Sequence, residues 1–214
     1  FKQKEQPLTA AQKGEIKVPL VKTADEAELA FQEAERLGQL DREKAVAAYK
    51  KAVKLRPAYP EAFLAMARTQ ADMGDLEDAL KSLAQARKLR PGYAEASAVE
   101  GRVQKEYGED AKAIALYKRA ITEGKGFQPE AYTGLGLIYK ERAETAGGSG
   151  NFDGEQANYD ESAKNLKLSI KQLAGAPDAM VIMQLLGLIY ERQQKLPEAI
   201  AVYEEFLRIF PDSN

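Results

Sequence analysis

Small and apolar side chains recur along this chain at helical spacing. Ala79, Leu83 and Ala86 fall at i, i+4 and i+7, one face of a helix. Phe63, Met66, Ala67 and Gln70 outline an earlier helix, and between the two lies Met73-Gly74-Asp75. Glycine at that point ends one helix, and aspartate caps the next. The pattern therefore predicts a pair of helices, each about 14 residues long, joined by a tight turn.

The pair is repeated. Ala45, Ala79 and Ala113 are spaced by 34 residues, as are Ala52, Ala86 and Ala120, and Tyr49, Leu83 and Tyr117. Pro57 with Pro91 and Gly74 with Gly108 keep the same step. Small residues at fixed points let helices approach closely, and Tyr, Phe and Leu fill the gaps between them. One such pair cannot bury its apolar face alone, so the pairs must stack.

The five residues Leu135-Gly136-Leu137-Ile138-Tyr139 return as Leu186-Gly187-Leu188-Ile189-Tyr190, 51 residues on, which is 17 more than the period. The glycine-rich run Thr145–Gly154 reads as the place for the surplus: a loop over about 145–156, with the second helix of that pair running from about Gln156 to Leu173. In the first pair, Thr23 and Glu26 stand at capping-box spacing, and the turn Gly38–Asp41 reads as about two residues longer than its counterpart. The expected organisation is an extended basic leader over 1–22 and one solenoid over 23–211. Its units are about 24–59, 60–93, 94–128, 129–177 and 178–211.

At this point the residues resemble a family. A 34-residue helix–turn–helix unit carrying Ala67, Gly74, Ala79, Leu83, Ala86 and Pro91 at these intervals is similar to the tetratricopeptide repeat. The next unit carries Gly101, Gly108, Ala113, Tyr117 and Ala120, and departs where Ser97 and Lys125 stand in place of a large residue and a proline. The resemblance implies an all-α fold, a right-handed superhelical solenoid of about five repeats. It further implies that the first helices line a concave groove that holds a protein or peptide partner. Carried over residue by residue, the groove would present Arg68, Asp72, Arg102, Lys105, Thr133, Leu137, Lys140, Gln184, Leu188 and Arg192. In the first unit it would present Asp25, Glu28, Gln32, Glu35 and Arg36. One groove column reads Arg68, Arg102, Leu137, Leu188, basic and then apolar, which suits an extended peptide with acidic residues at one end and apolar ones at the other. The opposing reading pairs Arg68 with Asp72 and Arg102 with Glu106, each four residues on.

Composition narrows the chemistry. The chain has no Cys and no His, which removes thiolate nucleophiles, imidazole bases, disulfides and the usual zinc sites. Leader residues 1–22 hold five lysines against two glutamates, and the rest holds 26 basic against 31 acidic residues. A mildly acidic body argues against binding a phosphate backbone or reading RNA. Carboxylate pairs such as Glu33 with Glu35 and Glu204 with Glu205 fall on solvent faces, away from a pocket that would split their pKa values. Asn151, Asp153 and Glu155 alternate as in a calcium loop, but the downstream Glu is missing and Phe152 intrudes. No apolar run approaches the roughly 20 residues that cross a bilayer.

The sequence thus reads as a non-enzymatic adaptor with no metal and no cofactor. Its alternatives are a module that self-associates through uncapped solenoid ends, or an accessory domain of a larger protein. No polar capping helix follows Phe210-Pro211, so the expectation is either that the chain is truncated there or that this end meets something else, a homo-oligomer contact included. Localisation stays open between the cytoplasm and the cell envelope, including a periplasmic place tethered upstream of Phe1.

Overall fold

The computed structural model describes residues 25–211. Among them are ten helices and no strand, so the repeats are helix pairs. The chain forms two compact units, one reaching to Leu89 and one starting at Arg90.

The first unit holds α1 (Glu26–Gly38), α2 (Arg42–Leu55), α3 (Pro60–Asp72) and α4 (Leu76–Leu89). Asp25 caps α1, its carboxylate accepting from the Ala27 and Glu28 amides at 3.0 and 3.3 Å. The expected cap at Thr23 is therefore displaced two residues on, and Thr23 itself lies outside the described residues, as does the whole leader 1–22. Asp41 caps α2 by accepting from the Lys44 amide at 3.0 Å. Such a cap satisfies one of the orphan amides of a first turn and is worth about 1 kcal/mol.

The α1–α2 turn corrects a second expectation. It spans Gln39–Asp41, as many residues as Met73–Asp75 between α3 and α4, and is not lengthened. What differs is its conformation. Gly74 takes φ 82° and lets the Asp75 amide reach back to the Gln70 carbonyl at 2.9 Å. Without a left-handed residue, the Asp41 amide bonds the nearer Leu37 carbonyl at 2.7 Å. Three of the residues assigned to the groove face of α1, Asp25, Glu28 and Glu35, are engaged inside the unit. The Tyr49 hydroxyl donates to Glu35, the Tyr59 hydroxyl donates to Glu28 at 2.9 Å, and Arg56 pairs with Asp25. Two buried phenols need acceptors, and α1 supplies both. Around them Ala34, Ala45, Tyr49 and Met66 form one apolar cluster, and Ala30, Ala52, Tyr59 and Ala62 form another.

The second unit holds α5 (Ala94–Glu106), α6 (Asp110–Glu123), α7 (Pro129–Gly148), α8 (Phe152–Leu173), α9 (Asp178–Arg192) and α10 (Leu196–Ile209). The expected loop at 145–156 is not there. Helix α7 runs through Gly148, only Ser149–Asn151 turn, and α8 begins at Phe152. The 17 surplus residues lengthen helices instead. Helix α7 has 20 residues against 13 in α5, α8 has 22 against 14 in α6, and α9 starts two residues earlier ahead of Gly187. Seven or eight residues are close to two helical turns, so each helix grows without rotating its contact face. Two glycines cost about 1 kcal/mol each in a helix. That cost is outweighed because Ala143 is fully buried with Tyr159, and Gly147 leaves room for the Glu155 side chain. Gly150, at φ 78°, now makes the turn that Gly108 makes between α5 and α6. The residues that resembled a calcium loop are a helix start: Asn151 accepts from the Gly154 amide at 2.9 Å, and Asp153 and Glu155 sit in the first turn.

The repeated Leu-Gly-Leu-Ile-Tyr also finds its reason. A Cβ on Gly136 would lie 2.5 Å from Leu166 Cδ2, and one on Gly187 would lie 2.4 Å from the Tyr203 ring. Each glycine is the point where the second helix of its pair lays a large side chain across the first. Two residues further, Ile189 is buried in the cluster against which Tyr203 packs, and Ile138 in the one around Tyr117.

Candidate interaction cleft

Three of the residues expected along the groove, Lys140, Leu188 and Arg192, meet at one cleft. It has a volume of about 390 Å3 and opens between α7 and α9, with Tyr159 of α8 at its base. Glu144, Leu185, Ile189 and Glu191 complete the lining. The lengthened part of α7 builds one wall, since Glu144 lies where a shorter repeat would already have turned. Helix α9 builds the other: Leu185, Leu188, Ile189 and Arg192 recur at helical spacing along it.

The cleft is apolar within and charged at its rim. Leu188 is 54% exposed, a large aliphatic side chain held in water. Lys140 Nζ reaches Glu144 Oε1 at 2.7 Å, one turn on, and Glu191 accepts from the Tyr203 hydroxyl. Arg192 is exposed and makes no hydrogen bond or ion pair among the described residues. Burial and then the nearby Glu144 carboxylate raise the Tyr159 phenol above its ordinary range, with Arg192 and Lys140 pulling weakly the other way. At neutral pH Tyr159 is thus a neutral donor beside two cations.

The other expected residues are placed as follows. Thr133 turns toward α8, its hydroxyl 2.8 Å from Ser169 Oγ. Lys105 bridges α5 to α7 by an ion pair with Glu141 at 2.8 Å. Leu137 is half-buried and Gln184 is exposed. Arg102 is half-buried on α5. In the first unit Arg68 is half-buried and Asp72 exposed, with the Asp72 carbonyl accepting from Arg42 at 3.5 Å. Sequence reasoning missed Glu144, Tyr159, Leu185 and Ile189. The last two follow the same helical spacing as Leu188, whereas Glu144 was hidden by the glycine-rich run after it.

A second cleft of about 600 Å3 lies on the side of α8 that carries Lys164, Lys167 and Leu168. Its cations are drawn inward: Lys195 Nζ is 2.6 Å from Asp160, and Lys167 lies 5.1 Å from the centre of the Tyr190 ring. Lys195, and then the Gln193 amide, hold the Asp160 carboxyl below the usual carboxylate range. Among the described residues no three metal-ligating side chains cluster, and no helix is long and apolar enough to cross a membrane.

Stacked helix pairs of this kind define a helical-repeat protein. Two models of the tetratricopeptide repeat match the sequence, over residues 36–103 and 141–214. The chain is a tetratricopeptide repeat protein, a class that in general binds protein partners and is not catalytic. Solved structures share the fold. A thermophilic tetratricopeptide repeat protein of Thermus thermophilus is 21% identical with a TM-score of 0.64, over 87% of this chain and 93% of that one. MamA is 24% identical with a TM-score of 0.57, over 88% and 94%. PilW, a widely conserved type IV pilus biogenesis factor, is 18% identical with a TM-score of 0.64, over 88% and 79%. No curated protein matches the sequence significantly.

Proposed function

We propose that the chain is a non-enzymatic adaptor that grips an extended peptide or partner helix at the α7–α9 cleft. One observation carries this reading: an exposed leucine, Leu188, stands over an apolar cleft with Lys140 and Arg192 at its rim. The matching ligand is an apolar side chain one or two residues from a carboxylate. Burying a Leu- or Phe-sized side chain is worth about 1.5–3 kcal/mol, and an Arg–carboxylate pair adds charge-assisted hydrogen bonds. After the entropic cost of association, the affinity falls in the micromolar class.

The test is fluorescence anisotropy with a peptide series in which Leu or Phe is flanked by Asp or Glu. Leu188→Glu and Arg192→Glu should each weaken binding about tenfold or more, with the helical circular dichroism unchanged. Lys105→Ala, at a lysine already held by Glu141, should change it little. Equal affinity of the wild type and the Leu188→Glu/Arg192→Glu double variant would sink the assignment.

A further inference from the structure

The outer face of α10 is a stacking face with nothing stacked on it among the described residues. Tyr117 of α6 and Tyr203 of α10 occupy the same place in their pairs. Tyr117 is clasped on both sides, by Gly101 of its own pair and by Gly134 of the next, and is 2% exposed. Tyr203 meets Gly187 of its own pair and stays half-buried. The same contrast runs along the helix. Ile114 and Ile121 of α6 are packed against the cluster that holds Ala131, Leu135 and Ile138 of α7. Their counterparts Ile200 and Leu207 are 57% and 52% exposed, and Leu196, one turn before, is 58% exposed.

We propose that this face pairs with the same face of a second copy, as an antiparallel helix pair about a two-fold axis. The stripe Leu196, Ile200, Tyr203, Leu207 has steps of four, three and four residues, so it reads the same in both directions. Reversed on itself, it sets Leu196 against Leu207 of the other copy and Ile200 against Tyr203. An isologous contact needs this self-complementarity. The positions beside the stripe are Pro197, Ala199, Glu204 and Phe206, which bring no like charges together in that arrangement. A head-to-tail alternative would need a continuous apolar face on the first helix, but of the exposed positions of α1 only Leu29 is a large apolar one, set among Glu26, Glu33, Glu35 and Arg36. The pairing therefore closes at two copies. One helix per copy is a small interface, so the dimer dissociates in the micromolar range.

Sedimentation velocity of the full chain from about 1 to 300 µM reads this directly. The expected result is a monomer that becomes a dimer, with Ile200→Glu/Leu207→Glu monomeric throughout and its thermal melt still cooperative. The absence of native cysteine makes a second arm clean. Mixed under oxidation, Leu196→Cys and Leu207→Cys chains should form the mixed disulfide in preference to either symmetric one. A wild type that stays monomeric would overturn the proposal and leave the face to a helix of another protein. A dimer that survives the double variant, or a preference for Leu196→Cys linked to itself, would overturn it equally.

Discussion

The α5–α6 and α7–α8 pairs sit in one compact unit, follow one contact scheme, and differ in length by about half. In the shorter pair Gly101 receives Tyr117, and in the longer one Gly136 receives Leu166. Their turns use the same left-handed glycine, Gly108 and Gly150, with the following amide bonded five residues back: Glu109 to Gln104 and Asn151 to Ala146, both at 2.9 Å. What is conserved between the pairs is contact phase, not length. A helix can gain two turns at the end away from the shared contact and keep every side chain on its face. The gain creates something the shorter pair lacks, a wall for the cleft above Tyr159.

The most severe way to break this comparison is to alter phase. Deleting 142–148 with 152–158 removes about two turns from each helix and should leave one cooperative thermal transition. Deleting five residues from each, 144–148 with 152–156, leaves the helix ends about 140° out of phase and should abolish cooperative unfolding of the unit. Equal behaviour of the two deletions would show that length, not phase, governs the pair.

A smaller effect separates the two tyrosines. Tyr117→Ala should cost about 3–5 kcal/mol in urea unfolding, as for a fully enclosed aromatic. Tyr203→Ala, at a half-buried ring, should cost about half of that at protein concentrations below any dimer. Gly134→Ala comes next, because its Cβ would lie 2.2 Å from Tyr117 Cζ. Overpacking of a ring that cannot retreat costs about 1–3 kcal/mol.

The mildest probe is pH. Burial raises the phenol pKa of Tyr49, Tyr117, Tyr159 and Tyr203 above the ordinary value of 10.0, with Glu35 reinforcing Tyr49. A group whose folded pKa is raised keeps its full contribution below the unfolded pKa and loses it as pH climbs toward the folded value. Stability should therefore be flat through neutral pH and fall above about pH 10. The full 295 nm absorbance of ten tyrosinates should be reached only together with loss of helical signal. Full ionisation of all ten tyrosines in a chain that keeps its helices would contradict the packing described.

Much of this was legible in the sequence, for a physical reason. Ala45, Ala79 and Ala113 recur because each is fully buried where two helices touch, and no larger side chain fits. The two Leu-Gly-Leu-Ile-Tyr runs were readable on the same ground. The lengthened α7 was not. Thr145–Gly150 carries the local signature of a chain break, and only tertiary contacts, with Ala143 buried against Tyr159, make it helix. That error hid Glu144, and with it the wall of the cleft. The first pair was misjudged for a related reason: residue counts cannot show whether a turn uses a left-handed residue. The α1–α2 turn does without one, and Asp25, Glu28 and Glu35, which the count assigned to the groove, bond Arg56, Tyr59 and Tyr49 within the unit.

The central functional claim is that a partner lies on the α7–α9 cleft. It is tested most directly by photo-crosslinking from single positions in the full chain, using the tightest peptide of the acid-flanked series. A crosslinker at 188 should capture the peptide, and one at 168, over the second cleft, should not. Capture from 168 with none from 188 would contradict the account.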